Sequence, residues 1–420
     1  MKLRCLQSAI VLILAACGTS ARTSAQDSPG GSQAANLHSS NPPFVSATVA
    51  TFDYPWAMAF LPGSSVAIVT EKPGKIWLVD TANGRKQPVD GPPRVAYGGQ
   101  GGLLSVAVAP GFATNGQVYL TYSEPSSNGG SGLALARAKL VRDAGGARLD
   151  GLQVLWRDPI GGEGGQFGAI VVFAPDGKSL FLTSGDRQRF TPAQDPNQPL
   201  GKILRLTLDG QPAGGTPWPG ERGSATVTVT DPPKDTEAAR HAPGREVKWP
   251  GPNLTPAETW SFGHRCPYGL AFAPDGRLWE TEMGPRGGDE LNLILPGANY
   301  GWPLVSEGEN YDGVSIPPHG AYGEIEAPNL YWKPSIAPTS LLIYSGNLFP
   351  QWKGDGLIGS LAGKALIHVR IRGTHATSVD QWDVGSRIRF VGEGPDGAVY
   401  LLEDSSNGRL LRLTPAQVRR

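Results

Sequence analysis

Three cysteines in 420 residues leave almost no covalent bracing. Cys5 lies within a basic, apolar leader and Cys17 at its end, so Cys266 stands alone in the mature domain and no internal disulfide can form there. An excess of charge of either sign is also missing: Lys plus Arg and Asp plus Glu number 37 each. Nucleic-acid binding needs a basic field, and a polybasic membrane patch needs a local one, so both classes lose their support. No HxxxH, HxH or CxxC pair occurs among the six His and three Cys, which disfavours zinc. No CxxCH is present to attach haem. Nothing reads as a long amphipathic helix, and the apolar run AIVLILAA (9–16) is too short to span a bilayer.

What is abundant points elsewhere. Gly (57) and Pro (38) are too frequent for a helical protein, while 11 Trp and a 39% apolar content exclude a disordered one. A turn-rich, all-β architecture accommodates both. Lys2 and Arg4 ahead of the apolar run make residues 1–17 an expected signal peptide. Leu14-Ala15-Ala16-Cys17 reads as a bacterial lipobox with Cys17 lipidated; the alternative is an ordinary signal cleaved near Ala25. Either way the domain is expected outside the cytoplasm, on the periplasmic side of a bacterial envelope. Gly18 points to anchoring at the outer membrane. Residues 18–43, small and polar, read as a flexible tether.

From residue 44 to 416 one pattern repeats. A Pro/Gly/Asp turn meets a short apolar strand at FLPGSSVAIV (60–69), VAPGFATNGQVYL (108–120), FAPDGKSLFLTSGD (173–186), FAPDGRLWETEMG (272–284), FPQWKGDGLIGS (349–360) and GPDGAVYLLED (394–404). Pro presets φ and Gly accepts φ > 0, so Pro-Asp-Gly is a turn with a mechanism. The shorter spacings match one propeller blade of about 40–50 residues. Six units predict a six-bladed β-propeller, with 211–257 as a surface insertion that holds at most a short hairpin at SATVTVT.

Function in such a fold sits on the loops around the axis. Gln100 lies among glycines in GGQGG (98–102), and Glu163 and Gln166 precede a strand in GGEGGQFG (161–168). Asp186 and Arg187 follow the next strand. His264, Arg265 and Cys266 crowd a blade entrance, where a half-buried Arg would need an anion. EMGPRGGDE (282–290) is too rich in Gly and Pro for helix or central strand, and its bent backbone, with Glu290 and later Tyr300, offers oxygens suited to Ca²⁺. Arg387 and Arg389 are two apart on a strand and share a face, where they either clamp a carboxylate or line a solvated edge. Together these residues suit an anionic cofactor held over Ca²⁺.

The motifs GQGGLL (99–104), SFGHRCPYGLAF (261–272), EMGPRGGDELNLI (282–294), NYGWP (299–303), PSIAP (334–338), LIGSLAGKAL (357–366) and RIR (387–389) resemble the glucose/sorbosone dehydrogenase family, propeller quinoproteins that use pyrroloquinoline quinone (PQQ). The aldose sugar dehydrogenase branch is the most similar, across residues 44–416. The resemblance implies a sugar substrate whose C1 hydroxyl is oxidised to a lactone, a central PQQ with Ca²⁺, and an external electron acceptor. It puts Gln100 beside the quinone, Arg265 and Cys266 at the cofactor, Arg387 and Arg389 as paired holders of the cofactor's carboxylates, and Asp186 near the substrate. It gives the Gly284 and Pro285 carbonyls to the cofactor's Ca²⁺, and Glu290 with Tyr300 to a second Ca²⁺. Four positions depart from the pattern, among them Thr281, where some members carry a His, and Ala362, where glucose dehydrogenases of the family carry a Lys. Gln166 replaces the His of an HFG motif, and an amide cannot take a proton. Cys266 replaces an Asn, removing an amide contact. The implied outcomes are a working dehydrogenase with Asp186 or Glu163 as base, or a carbohydrate- or quinone-binding propeller without turnover.

Overall fold

The computed structural model describes residues 30–35, 37–39, 41–127, 129–230 and 244–416. The expected signal peptide and lipidated Cys17 lie outside them. Strands dominate, and the repeated turns take the form their residues dictate. Gly177 and Gly276 adopt φ of 67° and 83°, their N–H groups close on the Ala174 and Ala273 carbonyls at 2.8 and 2.9 Å, and Asp176 and Asp275 accept the N–H two residues on at 2.9 and 3.1 Å. Each turn thereby reverses the chain and satisfies its own polar groups before the next strand begins.

The strands form antiparallel meanders. One eight-stranded sheet is two such meanders joined where Arg85–Asp90 runs parallel to Gly146–Arg157. The others are 168–173 with 179–184, 202–207 and 259–262; 267–272 with 278–282, 289–294 and 330–332; 338–343 with 356–360, 365–372 and 375–383; and 388–393 with 399–403 and 408–415. The last meander is completed by Phe44–Phe52, which pairs antiparallel with Gly408–Pro415 and so fastens the two ends of the domain in one sheet. The opening strands of the meanders lie side by side in order, Pro55–Phe60 against Leu103–Val108, and onward through Gly168–Phe173, Pro267–Phe272 and Pro338–Ile343 to Ile388–Glu393. That last strand meets Pro55–Phe60 again. The molecule is a β-propeller, and we read each four-stranded meander as a blade.

Apolar alternation on both sheet faces fills the spaces between neighbours. Leu103, Leu104, Leu120, Leu135, Leu180, Leu182 and Leu204 are wholly buried in the largest of these clusters, each contributing about 1.5–3 kcal/mol. The 211–257 insertion does carry a hairpin, Thr226–Thr230 with Gly244–Lys248, whose Val227 and Val229 pack on Ile160 and Leu200. Ser32–Gln33 pairs in parallel with Leu330–Tyr331 and Ala34 is buried. This part of the stretch read as a tether is therefore bound to a sheet edge.

Candidate active site

The loops that precede each opening strand and follow each second strand meet at one end of the ring. Gln100 is exposed there, just ahead of Leu103–Val108. Its approach depends on Gly102, which has φ of 150° and lies so close to Lys72 that an added Cβ would stand 2.3 Å from the Lys72 carbonyl oxygen. The Gln100 Oε1 accepts from the Gln166 N–H at 2.7 Å and the Tyr268 hydroxyl at 3.0 Å. One amide thus ties two loops and the strand 267–272.

Gln166, expected from the resemblance at the position of the family's base, is buried. Oriented to satisfy its neighbours, its amide nitrogen donates to Asp186 Oδ1 and its oxygen accepts from Arg265 Nη2 at 2.9 Å. Asp186 is fully buried; its Oδ2 accepts from Trp302 Nε1 at 2.7 Å and its Oδ1 from the Gln188 N–H at 2.8 Å. Burial pushes the Asp186 carboxyl above the usual range, with the Arg265 charge and these hydrogen bonds pulling the other way. Arg265 donates through Nη1 to the Gly284 and Met283 carbonyls at 2.7 and 3.0 Å, and its guanidinium lies 5.2 Å from the Trp302 ring centroid. Arg265 Nε is buried with no hydrogen-bond partner. The Cys266 thiol is buried and pushed far up by that burial, so it stays protonated and offers no nucleophile.

The segment around this triad is strained. Gln166, Ala169, Arg187, Gln188 and Phe190 all have positive φ, between 55° and 75°. Each costs about 1–3 kcal/mol and persists only where surroundings enforce it. Arg187 is one such enforcer. Wholly buried over the Phe167 ring, it donates to the carbonyls of Gly164 (3.0 Å), Gly165 (3.1 Å) and Ser131 (3.1 Å), and to Asp158 at 3.3 Å. It therefore holds the loop that carries Gln166. The sequence placed Arg187 beside Asp186 without this role. Glu163, the other expected base, is exposed.

Arg387 and Arg389 do share a side, and the carboxylate they clamp is the chain's own. Asp404 Oδ2 accepts from Arg387 at 3.3 Å and from Arg389 at 3.0 Å. Burial opposes ionisation of Asp404, but Arg389, Lys72 and Arg387 together hold its carboxyl below the usual range. Lys72, absent from the sequence reading, donates to the Gly99 carbonyl at 2.9 Å beside Gln100. Burial first, then Arg389, lowers its ammonium pKa. Two arginines thus bond one carboxylate with the Lys72 charge close enough to act on it, and Arg389 Nε is buried without a hydrogen-bond partner. That donor set fits a polycarboxylate.

The expected calcium positions fit less simply. Gly284 and Pro285 are buried in a carbonyl-rich turn, but the Gly284 oxygen already faces the Arg265 guanidinium. The Tyr300 hydroxyl is committed to the Leu293 carbonyl and the Leu295 N–H at 2.6 and 2.9 Å, and its ring stacks on His264 at 4.7 Å. Glu290 is buried and shares the Asn292 amide nitrogen with Glu280 and Glu282, at 3.1, 3.1 and 3.3 Å. Burial raises Glu290 to about 8 and holds Glu280 well above its usual range. His264 bridges Ser261 (2.9 Å) and Glu282 (3.0 Å), a structural histidine rather than a base. Lys72 carried no motif; Glu282, Glu290 and Asn292 lay in one, but only the fold brings them against Glu280.

The model of the family described as Glucose / Sorbosone dehydrogenase matches residues 52–229 and 250–412. The chain is 36% identical over 372 residues to aldose sugar dehydrogenase YliI of Escherichia coli (strain K12), covering 86% of this chain and 90% of that one. Among solved structures, the apo-form of the soluble aldose sugar dehydrogenase from Escherichia coli superposes with a TM-score of 0.77 at 33% identity, over 89% of this chain and all of that one. The PQQ-bound form of aldose sugar dehydrogenase from Streptomyces coelicolor gives 0.65 at 26% identity, over 89% and 99%.

Proposed function

The chain belongs to the glucose/sorbosone dehydrogenase family, and from that premise we propose that it is a PQQ-dependent sugar oxidoreductase acting on the C1 hydroxyl of aldoses to give lactones. The observation that carries this reading is the excess of positive charge at Lys72, Arg387 and Arg389 around the single Asp404 carboxylate, next to Gln100. An apolar or neutral sugar alone would not call for three converging cations. Lys72, Arg387 and Arg389 would hold the cofactor's carboxylates, with Gln100 and Arg265 along its edge. When bound, PQQ supplies the two-electron acceptor for the sugar's hydride. Calcium at Gly284 and Pro285 belongs to the same proposal; it would supply Lewis-acid polarisation and would share the Gly284 oxygen with Arg265.

Proton acceptance falls to Asp186. Burial strengthens its carboxylate as a base, and rotation of the Gln166 side chain would remove one of the two hydrogen bonds on Oδ1, leaving that from the Gln188 N–H. Arg265, released by the same rotation from Gln166, then balances the charge. Because the chain carries no CxxCH, electrons leave to an external acceptor. Export and a lipid anchor at the outer membrane stand as part of the proposal. A second reading, a sugar- or quinone-binding propeller without turnover, is favoured by one feature: the Gln166 amide spans Asp186 and Arg265 and closes the base off.

Dye-linked oxidation of an aldose panel by protein loaded with PQQ and Ca²⁺ separates the two. Activity that falls at least a hundredfold in Asp186→Asn, and stays within a few-fold in Glu163→Gln, supports the dehydrogenase with Asp186 as base. Tight PQQ binding with no oxidation of any sugar supports the binding protein.

A further inference from the structure

The loop between strands 179–184 and 202–207 begins with Asp186, and its far half has an enforcer of its own. Lys202 opens the second strand, paired with Ser184, and is wholly buried. Its ammonium is spent on carbonyls rather than on a carboxylate. Nζ donates to the oxygens of Pro192, Leu200 and Ala193 at 2.7, 2.9 and 3.0 Å. Three acceptors use the three hydrogens of an ammonium, so no donor is left over. Burial lowers the Lys202 pKa to about 7, with the Asp195 charge pulling the other way. Burying such a group is costly unless its donors are met, and here one loop meets them by folding back over the strand that follows it.

The carbonyls held by Lys202 belong to the turn Thr191–Ala193 and to the end of the same loop. That turn seats Trp302 in three ways. The Phe190 ring, on a residue with φ of 59°, lies against the indole with centroids 5.2 Å apart. Gln194 Nε2 donates to the Trp302 carbonyl at 2.8 Å and to Asn299 Oδ1 at 2.9 Å. The Ala193 carbonyl accepts a second time, from the Gly263 N–H at 3.0 Å, and the Gly263 carbonyl accepts from the Trp302 N–H at 2.9 Å. Phe190, Ala193, Trp302 and Ile316 close into one buried cluster. The Trp302 indole in turn donates to Asp186 Oδ2 at 2.7 Å. An unbroken path of contacts therefore runs from Lys202 through the 190–194 turn to the carboxylate at the other end of the loop.

We propose that Lys202 is a positioning residue for Asp186: it fixes the 190–194 turn, the turn fixes the Trp302 indole, and the indole sets the orientation of the carboxylate. The choice of Asp186 as proton acceptor rests on the dehydrogenase reading; the contacts that join it to Lys202 do not.

The test follows the Trp302 indole N–H by ¹⁵N NMR of tryptophan-labelled protein, with Trp302→Phe identifying its signal. Wild type, Lys202→Met and Lys202→Gln are compared below the pH at which the ammonium ionises. In Lys202→Met the Trp302 signal should move and its N–H should lose protection from exchange by about tenfold, while the other tryptophan indoles keep theirs. Lys202→Gln retains two N–H donors and should show a smaller change in the same signal; it decides the matter if the Met variant does not fold. In protein loaded with PQQ and Ca²⁺, kcat should fall roughly tenfold in Lys202→Met with the sugar KM within about twofold. Adding Lys202→Met to Trp302→Phe should slow turnover no further, because the lysine acts through the indole. An unmoved Trp302 signal in a folded variant would overturn the proposal. So would protection lost evenly across all the tryptophans, since Lys202 would then support the fold and nothing more, or rate losses that simply multiply in the double variant. If no sugar is oxidised at all, the indole signal still reads out, and that failure falls on the dehydrogenase reading alone.

Discussion

Gln166 decides more of the chemistry than any other single residue. An amide at that position bonds Asp186 on one side and Arg265 on the other, joining acid and guanidinium through a group that cannot take up a proton. Replacing it by histidine restores a titratable ring between the same two partners. We expect Gln166→His to raise the rate of sugar oxidation at least tenfold, with PQQ affinity unchanged, measured by dye reduction at saturating cofactor. An unchanged rate would show that the proton path runs elsewhere. Glu258 offers a residue-scale test of stability that is independent of function. It is fully buried, accepts from Trp156 Nε1 at 3.1 Å and Thr255 Oγ1 at 3.2 Å, and is raised by burial to about 7. A carboxyl raised in the folded state contributes stability below its ordinary value near 4.5, and that contribution is lost as pH rises through about 7. Glu258→Gln removes this loss. Its stability relative to wild type should improve by about 2–3 kcal/mol between pH 4.5 and 8, read from urea unfolding at the two pH values. The motifs made Gln166 and Asp186 legible as neighbours in function. They did not reveal the direct bond between them, because it crosses from one loop to another and needs the buried orientation of both side chains.

At the scale of elements, the loops work because glycines let backbones touch. Gly102 is the sharpest case: its φ of 150° and the 2.3 Å gap from a would-be Cβ to the Lys72 oxygen leave no room for alanine. Gly102→Ala should lower stability by about 1–3 kcal/mol, measured by thermal unfolding. It should also weaken PQQ binding several-fold, because Gln100 and Lys72 both sit on the displaced backbone. The Pro-Asp-Gly turns were readable because their chemistry is local: three consecutive residues supply the φ values and the side-chain acceptor. The hairpin in the 211–257 insertion was readable for the same reason, as an alternating Thr/Val run. Arg387 and Arg389 were readable as a same-face pair from their two-residue spacing, although the strand itself begins at Ile388. Their partner Asp404 was not, because it comes from the far end of the neighbouring strand. Lys202 gave still less signal: a single lysine at the start of an apolar strand acquires meaning only when the loop before it folds back over its ammonium.

The whole molecule brings these loops to one end by closing on itself, with Phe44–Phe52 completing the sheet of Gly408–Pro415. Closure matters for function because the cofactor-facing residues come from widely separated parts of the chain: Lys72 and Gln100 near its start, Gln166 and Arg265 in its middle, Arg387 and Arg389 near its end. Net charge is zero, yet the ring gathers cations at one place, a redistribution that composition could not show. The central claim is that this gathered charge exists to hold a polyanionic redox cofactor. Calorimetric titration of PQQ into calcium-loaded protein tests it directly, alongside Arg389→Ala. We expect one PQQ per chain, binding weakened about ten- to a hundredfold in Arg389→Ala by loss of a charge-assisted hydrogen bond and weakened in both proteins by added salt. No heat of binding in the wild type, or equal affinity in the variant, would contradict the account.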